Sequence, residues 1–316
     1  MFKRWQKMRD LGVLGMNQRN ISYISRYNSR RLYPLVDNKL LTKELAIEHN
    51  VQVPELLGVI RSQHDVNGMM SQVRDYSGFC IKPAKGSGGK GILVISRNAQ
   101  GHFVRSNGTE VDDNSIRRHT SNILAGLFSL GGAPDVAIIE TLIEPDPAMM
   151  RFSYQGIPDI RIIVFRGIPV MAMMRLACAV SGGKANLHQG AVGVGVDIAT
   201  GRAVSAVQAN RNIERHPDNQ QDLFSLEIPD WNTILELACS CADMTGLGYI
   251  GVDLVVDGRR GPLMLELNAR PGLSIQIANR QGLLPRLRKV EQIEKPHRMS
   301  ISQRIDFARH FSTSVQ

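Results

Sequence analysis

The sequence predicts an α+β protein whose two lobes are built mainly on antiparallel sheets. Three observations carry this. Short apolar runs of strand length alternate with amphipathic helical stretches along most of the 316 residues. Neighbouring strand candidates are separated by Gly-rich or Asp-Gly turns, which suits hairpins. No internal repeat, low-complexity run or apolar run of membrane-spanning length interrupts the pattern. At 43% apolar and 21% charged residues the chain has the balance of a folded protein, with length for one large core or two to three smaller lobes.

The elements follow in order. Residues 1–20 are basic, with Trp5, Met8, Leu11 and Leu14 at helical spacing. That predicts a packing helix, with a weak membrane-surface contact as the alternative. After Tyr33-Pro34, residues 38–49 read as an amphipathic helix capped by Asp37 or Asn38. Residues 56–60 read as a strand, and 61–77 as loop and a short helix. Strands at 79–82 and 92–95 bracket a glycine-rich loop. A helix over 115–131 and a strand over 135–140 follow, and Pro145-Asp146-Pro147 leaves regular structure. Residues 159–165 and 169–175 form a hairpin around Gly167, their methionines being core filler. A polar loop over 181–190 leads to a strand-like stretch, 191–198. A helix over 230–246 precedes a second hairpin, 249–256 with 263–268, around the turn 257–261. The tail from Pro285 is basic and helical.

Composition narrows the function. The net charge of +9 can attract nucleic acid or an anionic membrane surface, and it also suits a polyphosphate and an acidic substrate. Aromatics are only 5%, and no helix-turn-helix, zinc or single-strand-binding signature appears, so no nucleic acid is expected. The four cysteines lack paired metal spacing and read as reduced and mostly buried. Residues 1–7 are polar and form no secretory signal, so a cytoplasmic location is expected.

Two stretches carry chemistry. Gly86, Gly88 and Gly91 formally satisfy G-x-G-x-x-G, but a strand follows at once where a dinucleotide site needs a helix. No Ser or Thr follows Lys90, so Walker A fails too. A glycine loop between antiparallel strands is either a flap over nucleotide phosphates, with Lys82 supplying a cation, or a flexible surface hairpin. In the second hairpin, Glu266 and Asn268 point one way, Leu265 and Leu267 into a core. Pairing brings Asp253 beside Glu266 and Asn268. This trio is either a hard donor set for Mg²⁺ or scattered surface polarity.

Taken in order, the pieces resemble the ATP-grasp superfamily of carboxylate–amine ligases, and within it the glutamate-ligase branch and its alpha-L-glutamate ligase-related proteins. The resemblance rests on Lys39, on Ile81-Lys82-Pro83 with its glycine loop, on 139–143, and on Asp159-Ile160-Arg161. It continues through 184–190, Gly251-Val252-Asp253 and 266–272, with 11–20 and 30–34 matching the narrower group. It implies an ATP-grasp fold in which two α+β lobes, 36–140 and 141–285, hold ATP between antiparallel sheets. Residues 1–35 would be a short basic extension in place of a full N-terminal substrate domain, and 286–316 a basic tail.

The resemblance also assigns roles. Lys82 would hold the α/β-phosphates, and Ser87, Gly88, Gly89 and Gly91 would cover the β/γ-phosphates. Thr141 and Leu142, after Glu140, would read the adenine edge through their backbone. Asp159 would contact the ribose, Lys184 and Asn186 the phosphate or acceptor side, and Lys39 the nucleotide. Asp253, Glu266 and Asn268 would bind two Mg²⁺ ions, or Mn²⁺, with Glu266 bridging. Arg175 and Arg270 are candidates for holding an acyl phosphate or substrate carboxylate, or else form structural salt bridges. His188 reads either as a proton acceptor or, as a lone histidine, as a loop hydrogen-bonder. The expected reaction joins an acidic amino acid to an unidentified amine or carboxylate acceptor with release of ADP, and both a monomer and an oligomer are compatible with the sequence. A non-catalytic ATP sensor on the same fold is the alternative, disfavoured by the retained trio. A kinase-like transferase lacks its H-R-D and D-F-G elements.

Overall fold

The computed structural model describes residue 6 and residues 8–86, 88–105 and 107–312. Trp5 and Ser87 lie outside the described residues. The chain divides into two compact units, one of residues 37–44 and 53–143, the other of residues 1–36, 45–52 and 144–316. The N-terminal stretch and the C-terminal tail are therefore counted with the larger unit, where the sequence suggested separate appendages.

The smaller unit is a five-stranded antiparallel sheet. Its strands are β1 (Leu56–Ile60), β2 (Gly78–Pro83), β3 (Leu93–Arg97), β4 (Phe103–Arg105) and β5 (Ala137–Thr141), in the order β1-β5-β2-β3-β4. Helix α1 (Lys39–Glu48) starts at Asn38, whose Oδ1 accepts from the Leu40 amide at 3.0 Å. Helix α2 (Gln63–Val73) starts at a reciprocal cap, the Asp65 amide donating to Ser62 Oγ and the Ser62 amide to Asp65 Oδ2. Its buried Val66, Met69, Met70 and Val73 follow helical spacing and join Ile116 and Ile123 of α3 (Asp113–Leu124) in one core with Phe79, Ile81, Ile95 and Ile139. Each fully buried aliphatic side chain there contributes about 1.5–3 kcal/mol. Leu40, Ala84 and Ile138 form a second cluster.

The larger unit is a seven-stranded antiparallel sheet ordered β10-β9-β8-β7-β6-β11-β12. The strands are β6 (Asp159–Phe165), β7 (Ile168–Leu176), β8 (Val192–Val196), β9 (Ala203–Gln208), β10 (Arg211–Asn212), β11 (Tyr249–Asp257) and β12 (Gly261–Asn268). Arg166 and Gly167 both take positive φ, 49° and 79°, as a two-residue hairpin turn between β6 and β7 requires. Helix α4 (Trp231–Thr245) connects β10 to β11 and packs on β6, β7, β11 and β12. Trp231 Nε1 donates to the Ile198 carbonyl at 2.8 Å, and Gly246 ends the helix in the left-handed region. Helices α5 (Ser274–Asn279), α6 (Leu284–Glu291) and α7 (Ile301–Ser312) follow. Met171, Met173 and Met174 are buried, as core filler should be. Cys178, Cys239 and Cys241 are buried free thiols, and burial pushes the Cys239 thiol up to about 12.

Three expectations need correction. Residues 8–14 do not continue one helix: the chain turns at Leu11-Gly12, and 13–15 are irregular. Leu14 is buried there while Met8 and Leu11 are exposed, because Gln276 captures the Leu14 backbone through both its amide and its carbonyl. Leu265 does not point into the core. The register slips between Asp253↔Glu266 and Leu254↔Met264, which leaves Leu265 as the extra, half-buried residue of a bulge. Strands β4, β9 and β10 lie where no strand was expected.

Candidate active site

In the smaller unit the chemistry gathers on a buried carboxylate. Glu140 on β5 is 3% exposed; Lys82 Nζ from β2 and Lys43 Nζ from α1 each lie 2.7 Å from one of its oxygens. Burial pushes the Glu140 carboxyl up, but the two ammonium groups outweigh it and hold the group below its ordinary range. Burial lowers the Lys43 ammonium, with Glu140 opposing. Lys43 Nζ also donates to the Pro54 carbonyl. Two cations on one anion leave a surplus positive charge, and Lys82 is the more open of the two lysines. Lys43 was missed in the sequence. Its signal was its place between buried Leu40 and Ala46, three residues to either side on the apolar face of α1.

The glycine loop follows β2. Gly88, Gly89 and Gly91 all take positive φ, between 63° and 77°, where other residues would be strained. Lys39 Nζ donates to the Gly86 carbonyl at 2.7 Å, so Lys39 fastens the near end of the loop. His119 Nε2 meets the Gly91 carbonyl at 2.9 Å and fastens the far end. Burial lowers the His119 imidazolium, the bond to Gly91 opposing; because a carbonyl oxygen only accepts, Nε2 is the donor. The Thr141 amide donates to Glu55 at 3.0 Å, which commits it to strand pairing.

In the larger unit one sheet face carries a row of charge. Asp159 lies opposite Arg175, Arg161 opposite Asp253, Asp253 opposite Glu266, and Gly251 opposite Asn268. Opposed residues share a face, as do residues two apart, so all six polar side chains project together. Arg161 grips Asp253 with two parallel bonds, Nε–Oδ1 at 2.6 Å and Nη2–Oδ2 at 2.5 Å. Arg175 pairs with Asp159 through Nε and, at 2.8 Å, Nη2, and reaches Asp253 Oδ2 at 3.0 Å. Burial raises the Asp159 carboxyl to about 6, Asp253 adding to the rise. Burial also pushes Asp253 up, but the guanidinium groups of Arg161 and Arg175 outweigh it and bring it to about 2.

Asp253, Glu266 and Asn268 thus meet on one face, and two carboxylates with an amide oxygen suit a hard divalent cation. Asp253 already accepts three guanidinium contacts and the Asn268 Nδ2 at 3.3 Å, which together use its four lone-pair directions. Glu266 and Asn268 fit the cation best, with Asp253 joining where one of its donors turns away. No cluster of three or more His, Cys, Asp or Glu able to hold a metal occurs among the described residues.

The remaining candidates stand outside the strands that carry this row. Asn186 Oδ1 accepts from the His188 amide and starts a short 3-10 turn, while Lys184 and His188 are exposed in the same loop. The Arg270 guanidinium stacks over the Tyr33 ring at 5.3 Å.

Antiparallel α+β units, a glycine loop after the Lys82 strand, and a carboxylate–amide hairpin define an ATP-grasp protein. The chain belongs to the sugar-transfer associated ATP-grasp family, whose profile matches residues 18–292. No curated protein matches it. Among solved structures it is similar to the ATP-grasp ligase PsnB complexed with minimal precursor, at 16% identity and TM-score 0.46 over 83% of this chain and 60% of that one. It is also similar to D-cycloserine synthetase DcsG, at 13% and 0.44 over 92% and 74%. The D-alanine–D-alanine ligase of Bacillus anthracis complexed with ATP gives 14% and 0.45 over 89% and 67%. The chain spans about 60% of the PsnB length it matches.

Proposed function

We propose that the protein is an ATP-dependent, ADP-forming carboxylate–amine ligase that takes an acidic amino acid as one substrate. The observation that carries this reading is the sheet face on which Asp253, Glu266 and Asn268 stand beside Arg161 and Arg175. A carboxylate is a poor electrophile. Transfer of the γ-phosphoryl group of ATP to a carboxylate oxygen gives an acyl phosphate and ADP; an amine then attacks the acyl carbon and phosphate leaves. Neither step needs an enzyme nucleophile, only placement and charge neutralisation.

The roles divide by chemistry. Lys82, backed by the Glu140–Lys43 pair, holds phosphate oxygens, and the amides of Gly88, Gly89 and Gly91 cover the transferring group. The Leu142 backbone reads the adenine edge. Glu266 and Asn268, with Asp253, hold Mg²⁺ or Mn²⁺, one ion or two, which supplies charge stabilisation when bound. Arg175 steadies the developing acyl phosphate, and Arg270 a substrate carboxylate. Lys184 and Asn186 face the acceptor. The association of the family with sugar transfer adds amino sugars and sugar acids to peptides as acceptors to screen.

The test is nucleotide turnover with single amino acids and acceptor mixtures, with ADP, AMP and phosphate resolved. ADP and phosphate are expected, with glutamate or aspartate preferred. Glu266→Gln should lower kcat about 100-fold or more while circular dichroism is unchanged. AMP as product, or near-normal turnover by Glu266→Gln, would overturn the mechanism. Equal use of glutamate, alanine and lysine would remove only the substrate claim.

A further inference from the structure

We propose that the N-terminal region of the larger unit is a docking surface for anionic phospholipid bilayers. Residues 1–36 hold eight Lys or Arg against one acidic residue, Asp10, and so carry seven of the nine surplus positive charges. The same region leaves large apolar side chains in water: Met8 is 41% exposed, Leu11 48%, Met16 65% and Ile21 71%. Packing alone does not account for these, since Leu14, Tyr23 and Ile24 of the same stretch are buried.

The exposed side chains stand on a fixed backbone. The Gly282 amide donates to the Leu11 carbonyl and the Leu284 amide to the Gly12 carbonyl, both at 3.1 Å. Gln276 holds the Leu14 amide at 2.8 Å and its carbonyl at 3.1 Å. The approach is close enough that a Cβ at Gly282 would lie 2.1 Å from the Gly12 carbonyl carbon. An apolar surface held this firmly is presented rather than frayed. Beside it runs a cleft of about 670 Å³ lined by Met8, Arg9, Val13, Gln18, Leu284 and Arg288. Its lining surface is mostly apolar, and two arginines, Arg9 and Arg288, line it.

Charge selects the occupant. Arginines set among exposed aliphatic side chains match the interface of an anionic bilayer, where apolar groups enter the acyl boundary and cations meet phosphates. In sequence, Phe2 and Trp5 stand among Lys3, Arg4 and Lys7, the composition of an interfacial anchor. Glu291, 4.0 Å from Arg26, is an acidic group paired to this stretch. No helix among the described residues is long and apolar enough to cross a membrane, and the proposed contact is with the bilayer surface.

The experiment is co-sedimentation of the full chain, without nucleotide, with vesicles of phosphatidylglycerol and phosphatidylcholine or of phosphatidylcholine alone. Binding is expected only to the anionic vesicles, falling about tenfold or more as salt shortens the screening length. The pairs Met16→Asp/Ile21→Asp and Arg9→Glu/Arg288→Glu should each weaken partitioning about tenfold. Phe224→Asp, an exposed apolar site elsewhere, should leave it unchanged. All these side chains are exposed, and circular dichroism checks that each variant folds. No binding to anionic vesicles, equal binding to neutral ones, or an equal loss in Phe224→Asp would overturn the proposal. So would apolar variants that bind like the parent. Because no nucleotide is present, ligase activity and vesicle binding fail independently.

Discussion

Lys43 shows how much of the site rests on one side chain that looks ordinary in sequence. Its ammonium and that of Lys82 share the buried Glu140 carboxylate. Glu140→Gln would strand both cations and should cost about 3–5 kcal/mol in urea unfolding. Lys43→Met should cost less, because Glu140 keeps Lys82. The folded Glu140 carboxyl lies below its unfolded value. Its stabilisation is therefore complete above an unfolded value of about 4.3 and is lost as pH falls toward the folded one, where the unfolded chain binds the extra proton. Glu140→Gln should flatten that acid limb. An unchanged limb would mean that the cluster does not couple to folding. The strand end at Lys82 and the glycine turn after it were legible as local structure, because their signal is local. Lys43 was not, because its partner lies far along the chain. The same holds at Arg161 and Arg175: their types and strands could be read, but their grip on Asp253 depends on which strands are neighbours.

The β11–β12 hairpin was legible as an element because the runs 249–256 and 263–268 are apolar with a single carboxylate each and a turn-rich link. Its inner detail was not, since the bulge at Leu265 arises from pairing register. Strand β9 escaped notice because Ser205 occupies a buried position, where its hydroxyl donates to the Ala278 carbonyl. The hairpin turn depends on Asp257, which is buried and accepts from the amides of Glu144, Arg259 and Arg260 at 2.9–3.0 Å and from Arg260 Nη2 at 2.7 Å. Burial raises this carboxyl, but the Arg260 side chain and the three amides outweigh it and hold it well below the carboxylate range. Its contribution is present above about pH 4 and fades as acid protonates it. Asp257→Ala should cost about 2–4 kcal/mol, most of it absent at low pH, as measured by urea unfolding across that range. A loss independent of pH would assign the effect to packing instead.

At the scale of the whole molecule, the larger unit is assembled from chain segments on both sides of the smaller one. The bonds that join them span nearly the full sequence: Leu14 to Gln276 across 262 residues, and Asn28 to Tyr249 across 221. This has a consequence in time. Residues 11–28 are synthesised well before these partners, so Leu14, Tyr23 and Ile24 stay in water until residues 249–276 have emerged. Residues 53–143 hold a continuous sheet and core that need nothing made later. Ordering should therefore begin there and finish with the N-terminal segment, because closing the longest loop costs entropy before any contact offsets it. In pulsed hydrogen exchange during refolding, the Ile81 and Ile139 amides should be protected first, with Leu14 and Tyr249 following together. Protection of Leu14 ahead of Ile81 would refute that order. While the segment waits, its exposed arginines and apolar side chains are what a nascent-chain chaperone would meet.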